Sequence, residues 1–440
     1  MRITTEDIRS VEPSVEIRCT EQEFDHVDVI GFSTKPQIAP HSKTLWCVTR
    51  SATREDLSWS GGAFDRSAKV AKVSSEHRNW VVLTDSSQVA GAATNRCILV
   101  PDVAKFLERL HRHVITVAEP AVVGVTGSVG KTTCVALLED IFSQYGKTLR
   151  VYAKRITPLN LFEIVINQLE AEHQYVVMEY AMFHKWHIAE LTRLLEPTVG
   201  VLLNISTEHL GVGDLQNPRG ILMSKKILLE RATYAFIEQD VAHQPEEDTR
   251  GISVFNWRNF IRPHGFDVEP FVRSRLQYVQ IGAALSAKKS LIGRVTSADI
   301  AVINKFKPKE NRLQKIRCRR HEIFFDGEAT APVRLNVMGD TMYSPRVLAV
   351  HAVSDDEYYD LDMMVQVDCL RSALQKFDSI YVSRTVDGRF RSFVEHCVSD
   401  TTSVVLYDGQ IPNLPNVTLF VRWGAYWRTH SDKSIVSDAF

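Results

Sequence analysis

From about residue 120 onward, the apolar positions alternate between short β-branched runs and longer stretches of helical period. The run AVVGV at 121–125 predicts a buried strand, and a glycine-rich turn follows it. Val135, Leu138, Ile141 and Phe142 then recur at three- and four-residue spacing, which predicts a helix over Thr132–Tyr145 stopped at Gly146. TLRVYA, YVVMEY and TVGVLLNI read as further strands. NLFEIVINQLEAE and WHIAELTRLLE, the latter closed by Pro197, read as the helices between them. Such a strand-helix-strand rhythm builds a mostly parallel sheet covered by helices on both faces, and ligands of such sheets sit at the carboxyl ends of the strands.

The flanks follow other patterns. Residues 1–118 hold short runs read as alternating strands, among them TLWCV and WVVLT, with a turn at Gly61-Gly62 and a closing helix over Asp102–His113, which predicts a small α/β domain. On the far side, the basic stretch KFKPKENRLQKIRCRR follows a predicted helix. Strand-like runs at 347–353, 379–383, 403–407 and 417–422 then predict a Rossmann-like α/β domain. The expected fold class is therefore α/β in three domains, 1–118, 119–308 and 309–440, with a doubly wound, mostly parallel P-loop sheet in the middle.

Composition narrows the function classes. A length of 440 residues exceeds one compact core, and 44% hydrophobic with 24% charged residues excludes collagenous and disordered readings. Lys plus Arg (52) balances Asp plus Glu (53), so no net field attracts a polyanion and nucleic acid is not an expected partner. The N-terminal stretch carries acids where a signal peptide needs an apolar core, and no run approaches the roughly 18 apolar residues of a membrane span. A cytoplasmic location without membrane attachment is expected. The seven scattered cysteines, never arranged as CxxC, read as reduced thiols.

The strongest chemical signal is Gly124-Val-Thr-Gly-Ser-Val-Gly-Lys-Thr132, placed after a strand and before a helix. Glycines at 127 and 130 let the backbone around Ser128 turn its N–H groups toward phosphate. Lys131 reaches the β/γ-phosphates, and the hydroxyl of Thr132, beside Thr133, can hold Mg²⁺. The helix that begins there adds its positive end. Standard Walker spacing needs glycine at 125, where Val125 stands, so the loop is a variant. Glu179 ends the predicted strand YVVMEY and His209 follows another strand end; oxygen and imidazole ligands there can converge on a divalent ion beside a triphosphate.

This nonapeptide resembles the ATP loop of the Mur ligase family, GxTGTNGKT, with Ser128 in place of threonine and Val129 in place of asparagine. The resemblance continues in order. Glu179 falls on the family's magnesium-binding glutamate, and EPTVGVLLNISTEHLG is similar to the segment that supplies Asn204 and His209. NPRGILMSKKILLE resembles the helix whose lysine is carbamylated, which puts the carbamate on Lys225, with Lys226 as the alternative. LQYVQIGAALSA resembles the adenine-side helix with Gln280 offering an amide. ENRLQKI supplies the linker Arg312, and DGEATAP supplies Asp326. CILVPDVAKFLERL resembles the uridine-diphosphate-binding domain of the branch that adds the third amino acid or the D-Ala-D-Ala dipeptide. Ser33-Thr34-Lys35 keeps that branch's nucleotide-sugar signature only loosely.

The resemblance implies ATP, one or two Mg²⁺ ions, a carboxylate substrate that is UDP-linked in peptidoglycan synthesis, and an amino acid or peptide amine held by the third domain. It implies amide formation through an acyl phosphate, with Lys131, Glu179, His209 and Lys225 as the catalytic set. Substitutions in both flanking domains leave open a specialised ligase outside cell-wall synthesis. A ligase of folylpolyglutamate, cyanophycin or poly-γ-glutamate type, a motion-coupled P-loop NTPase and a non-catalytic relative also remain open readings. Oligomeric state is not legible.

Overall fold

The computed structural model describes residues 2–19, 24–32, 42–49, 67–93, 96–153, 156–182, 184–205, 215, 217–242, 251–264, 266, 275–307, 314–318, 321–326, 335, 346–353, 371–384, 394–396, 398, 402–408 and 418–423. The first strands are β1 (Ile3–Thr4), β2 (Glu16–Arg18), β3 (His26–Val27), β4 (Val29–Gly31), β5 (Thr44–Val48), β6 (Trp80–Thr84) and β7 (Cys97–Leu99). β1 and β3 form an antiparallel ribbon, and the others form a sheet of order β2-β7-β6-β5-β4, parallel except for β2 against β7. The runs TLWCV and WVVLT do not alternate between core and water: every residue of β5 and β6 is buried. Inner strands of a parallel sheet lie between two layers and leave no face for water. The closing helix begins where expected, capped by the Asp102 side chain accepting from Lys105 N–H. It runs to Ala118, a turn beyond the expected end, because Val114 continues its buried stripe.

The second group is β8 (Ala121–Thr126), β9 (Lys147–Val151), β10 (His173–Glu179), β11 (Val199–Leu202), β12 (Tyr234–Glu238) and β13 (Ser253–Phe255), in the order β13-β12-β11-β8-β10-β9. From β8 the chain builds first to one side and then to the other. The carboxyl end of β8 is thus the topological switch point at which open α/β sheets bind ligands. The third group is β14 (Gln314–Cys318), β15 (His321–Asp326), β16 (Val347–Val353), β17 (Ser379–Ser383), β18 (Ser403–Tyr407) and β19 (Thr418–Trp423), in the order β14-β15-β19-β16-β17-β18. β14 and β15 pair antiparallel and the remaining pairs are parallel. Within the basic stretch of the sequence, Gln314–Cys318 is therefore a strand, at the end of the sheet order. Among the described residues no helix is long and apolar enough to cross a membrane.

The chain groups into two compact units, one of Met1–Val122, Gly146–Met178 and Leu191–Glu196, the other of Val123–Tyr145, Glu179–Glu190 and Pro197–Phe440. The second contains the phosphate loop. Its helix Lys131–Phe142 buries Cys134, Val135, Leu138, Ile141 and Phe142 and packs on helix Arg275–Leu291. The loop helix ends at Phe142, short of the expected Tyr145, because the N–H groups of Gln144 and Tyr145 turn back to the carbonyls of Ile141 and Phe142.

That early stop releases Tyr145 for another task. Its hydroxyl donates to Asp299 at 2.8 Å, and Asp299 pairs with Lys288 at 3.1 Å, both charged side chains being sealed from water. Asp299 also closes a capping box with Thr296 at the start of helix Ser297–Lys305. The network ties the end of the loop helix to the two helices that follow the central sheet. Burial alone pushes the Asp299 carboxyl up. Hydrogen bonds from the Thr296 backbone, Tyr145, Lys288 and the Thr296 hydroxyl outweigh it and hold the group below its ordinary value.

Asp299→Asn leaves Lys288 buried without its counter-charge, and urea unfolding at pH 7 is expected to show a loss of about 3–5 kcal/mol. Because the folded-state value is lowered, the unfolded chain takes up the proton first as pH falls. This contribution is complete above the ordinary value of 3.8 and drains away below it. The variant should lack that acid-limb slope. An unchanged urea midpoint would contradict a stabilising role for this network.

Candidate functional site

At the end of β8 the chain must leave the sheet, and the residues beyond it decide how. The Thr126 hydroxyl donates to the Tyr180 carbonyl at 2.8 Å, and Tyr180 N–H donates to the Val125 carbonyl at 2.8 Å, which pins the strand end to the chain just after Glu179. The turn then uses glycine twice, at Gly127 (φ 151°) and Gly130 (φ 89°). A side chain at 130 would be strained and crowded as well, its Cβ lying 2.7 Å from Gln280 Nε2 and 2.9 Å from Leu276 Cδ1.

Each carbonyl of this turn draws a donor from elsewhere. The Lys131 ammonium folds back on the carbonyls of Gly127 (2.8 Å) and Ser128 (2.9 Å), and Gln280 Nε2 donates to the Gly130 carbonyl at 3.0 Å. Lys225 Nζ donates to the same Gly127 carbonyl at 3.1 Å although its side chain is only 1% exposed. Two ammonium groups on one carbonyl oxygen make a strongly positive point, which suits a polyanion. Bonding within the helix begins with Cys134 N–H on the Gly130 carbonyl, so the N–H groups of Lys131, Thr132 and Thr133 face off its N-terminus as an anion site.

Lys225 reaches the loop because its helix, Pro218–Arg231, lies almost on the sheet. A Cβ on Gly200 of β11 would stand 2.8 Å from the Leu228 carbonyl oxygen. Asn217 caps that helix and Pro218 opens it. The adjacent Lys226 is buried too, so this lysine pair is no solvated helix face, and Lys225 is the one that meets Gly127.

Thr132 Oγ1 donates to Glu179 Oε2 at 2.8 Å, and Glu179 is the last residue of β10, largely buried. These are hard oxygen donors of the kind magnesium takes. Among the described residues no group of three or more His, Cys, Asp or Glu side chains gathers as a metal site. His209 and Arg312 lie outside the described residues, as do Ser33, Thr34 and Lys35. Asp326 is described only as the final residue of β15. Ser128 is buried in the loop, and Thr133 sits half-buried in the first helical turn. The Cys134 thiol is fully buried, and burial pushes it far above its ordinary value, which suits packing and not nucleophilic chemistry.

Two participants were not assigned these contacts from the sequence. Tyr180 serves through its backbone, which no residue pattern reveals. Asn204 brackets residue 129, its Oδ1 accepting from Val129 N–H and its Nδ2 donating to the Val129 carbonyl, both at 2.9 Å. The signal for Asn204 was a polar residue directly after the apolar strand VLL.

Comparison with known proteins agrees with this geometry. The family model described as Mur ligase middle domain matches residues 125–251. The UDP-N-acetylmuramoyl-tripeptide--D-alanyl-D-alanine ligase of Synechocystis sp. is 30% identical over 128 residues, which are 29% of this chain and 25% of that protein. The corresponding ligase of Rickettsia prowazekii is 24% identical over 202 residues, 46% of this chain and 39% of that protein. The chain thus spans well under half the length of these curated relatives. In fold, MurF from Acinetobacter baumannii superposes with a TM-score of 0.74 at 16% identity, over 100% of this chain and 99% of that one. The MurF ligase from Thermotoga maritima in complex with ADP gives 0.68 at 14% identity, over 93% and 96%. The three-domain α/β fold is that of these solved structures, and residues 125–251 match the Mur ligase middle domain.

Proposed function

We propose that the protein is an ATP-dependent ligase that joins a carboxylate substrate to the amine of an amino acid or peptide, releasing ADP and phosphate. The observation that carries this reading is the gathering of Lys131, Lys225 and the Thr132–Glu179 pair around the turn that ends β8. The relatives it matches act on UDP-linked muropeptide and D-Ala-D-Ala, as their names state, and a UDP-linked acid is the first candidate substrate here. The division of labour follows the proposed domains: acid carrier on 1–118, nucleotide on 119–308 and amine on 309–440.

In this reading the N–H groups at Lys131–Thr133 hold the β-phosphate, and Lys131 swings from the loop carbonyls to the β/γ-oxygens. Thr132, Glu179 and a carbamate on Lys225 would hold Mg²⁺, with His209 as a further ligand; the ion when bound spreads the charge of the transferring phosphoryl group. A carbamate fits this site in two respects. It retains one hydrogen on Nζ, so the bond to the Gly127 carbonyl survives, and it replaces one of two crowded positive charges with a negative one. A carboxylate oxygen of the substrate attacks the γ-phosphorus and expels ADP. The amine nitrogen then attacks the acyl carbon, phosphate leaves with the former carboxylate oxygen, and the amine loses a proton. Gln280 and Asn204 keep the loop in shape, and Arg312 and Asp326 are assigned to the nucleotide side of the third domain.

The direct test is phosphate release from ATP across a matrix of UDP-muramoyl acids, free amino acids and peptides, with products weighed by mass spectrometry. Release that depends on both an acid and an amine supports the ligase. Release with neither leaves only a hydrolase.

Lys131→Ala is expected to cut ATP turnover at least about a hundredfold while leaving circular dichroism near wild type, because it removes charge from the phosphates and no core contact. Near-normal turnover would mean the loop is misassigned. Lys225→Ala should be nearly inactive yet partly restored by short-chain carboxylates in the buffer. Lys226→Ala, one step or about 100° around the helix, should keep its turnover. The reverse ranking of the two lysines in the same assay would sink the carbamate.

A further inference from the structure

The phosphate loop of this protein is pinned from outside by one residue at three points. β11 and β8 run parallel and in register as far as Leu202 and Thr126, and Leu203 N–H still donates to the Thr126 carbonyl at 3.0 Å. Beyond that rung the two chains diverge, and Asn204 bridges the gap. Its main-chain carbonyl accepts from Ser128 N–H at 3.1 Å, while its side-chain amide takes both polar groups of Val129 at 2.9 Å. A primary amide that donates and accepts against one residue copies a strand partner, and of the side chains only Asn and Gln carry this pair.

We propose that Asn204 is a positioning residue that clamps the phosphate loop, and that the clamp moves phosphate recognition downstream, to the N–H groups from Gly130 through Thr133. This rests on the nucleotide reading of the loop and adds to it a division of its donors. A freely turned glycine-rich loop offers successive N–H groups to phosphate. In this chain two of them, those of Ser128 and Val129, are already taken by Asn204. The Gly127 and Ser128 carbonyls, turned the opposite way, hold Lys131. Opening the clamp frees the 128–129 peptide to rotate, and the N–H groups that follow from Gly130 then lose their fixed direction. Asn204 does this without touching phosphate, so its loss weakens nucleotide binding more than it slows the chemical step.

The probe is Mg·ADP, titrated by calorimetry into wild type and Asn204→Ala and paired with the steady-state KM for ATP and kcat. Loss of two side-chain hydrogen bonds to the loop is expected to weaken ADP binding about tenfold and to raise KM by a similar factor, with kcat changed less than about threefold. A variant that binds ADP within twofold of wild type, or that loses kcat with KM unchanged, overturns the clamp. Should Asn204→Ala fail to fold, wild-type amide resonances decide the matter. On adding Mg·ADP, the N–H signals of Gly130–Thr133 should move strongly while those of Ser128 and Val129 stay nearly in place, and large shifts at 128 and 129 would overturn the proposal. If wild type itself binds no Mg·ADP, it is the nucleotide reading that fails, and the clamp falls with it.

Discussion

A four-residue turn cannot satisfy its own backbone, and residues 127–130 are such a turn, with two glycines at positive φ and carbonyls directed away from any ladder. Buried polar groups without partners cost roughly 1–3 kcal/mol each, so the turn holds its shape only where the rest of the fold brings donors and acceptors to it. Lys131, Asn204, Lys225 and Gln280 meet that need from the loop helix, the end of β11, the helix packed at Gly200 and the helix packed on the loop helix. Two of the four are lysines, and they share one carbonyl.

Some of this was legible in the sequence. The glycine spacing with Lys131 and Thr132 specifies a loop between a strand and a helix, and it stands there. Glu179 was read as a strand terminus from an apolar run ending in a charge, and it is the last residue of β10. The partners of the loop were less legible, because they depend on which elements lie side by side. Gln280, expected to face adenine, gives its amide nitrogen to the Gly130 carbonyl, and no periodicity in helix Arg275–Leu291 could tell those two uses apart. The lysine pair was ambiguous for the same reason: a helix face is polar or buried according to what packs on it, and here even Lys226 is covered.

Other differences come from tertiary structure overriding local pattern. β5 and β6 carry threonine, cysteine and tryptophan in sequences that resemble alternation, yet each is wholly buried once strands flank it on both edges. The loop helix stops three residues early, where the N–H groups of Gln144 and Tyr145 turn back to the carbonyls of Ile141 and Phe142, and the Tyr145 hydroxyl is left to donate to a sealed carboxylate. The Lys288–Asp299 pair fixes the far end of the loop helix, while Gln280 and Asn204 fix the near end. The helix that presents Lys131 and Thr132 is therefore held at both ends before any nucleotide arrives.

The proposed reaction turns on one chemical event, the transfer of the γ-phosphoryl group of ATP to a carboxylate held beside this loop. It can be followed atom by atom. With the acid of whichever pair supports turnover labelled with ¹⁸O in its carboxylate, one labelled oxygen per turnover should appear in the released phosphate, read by mass spectrometry or by the ³¹P isotope shift. Phosphate that carries no label while amide accumulates would contradict activation of the acid by phosphorylation, and with it the central reading of the site.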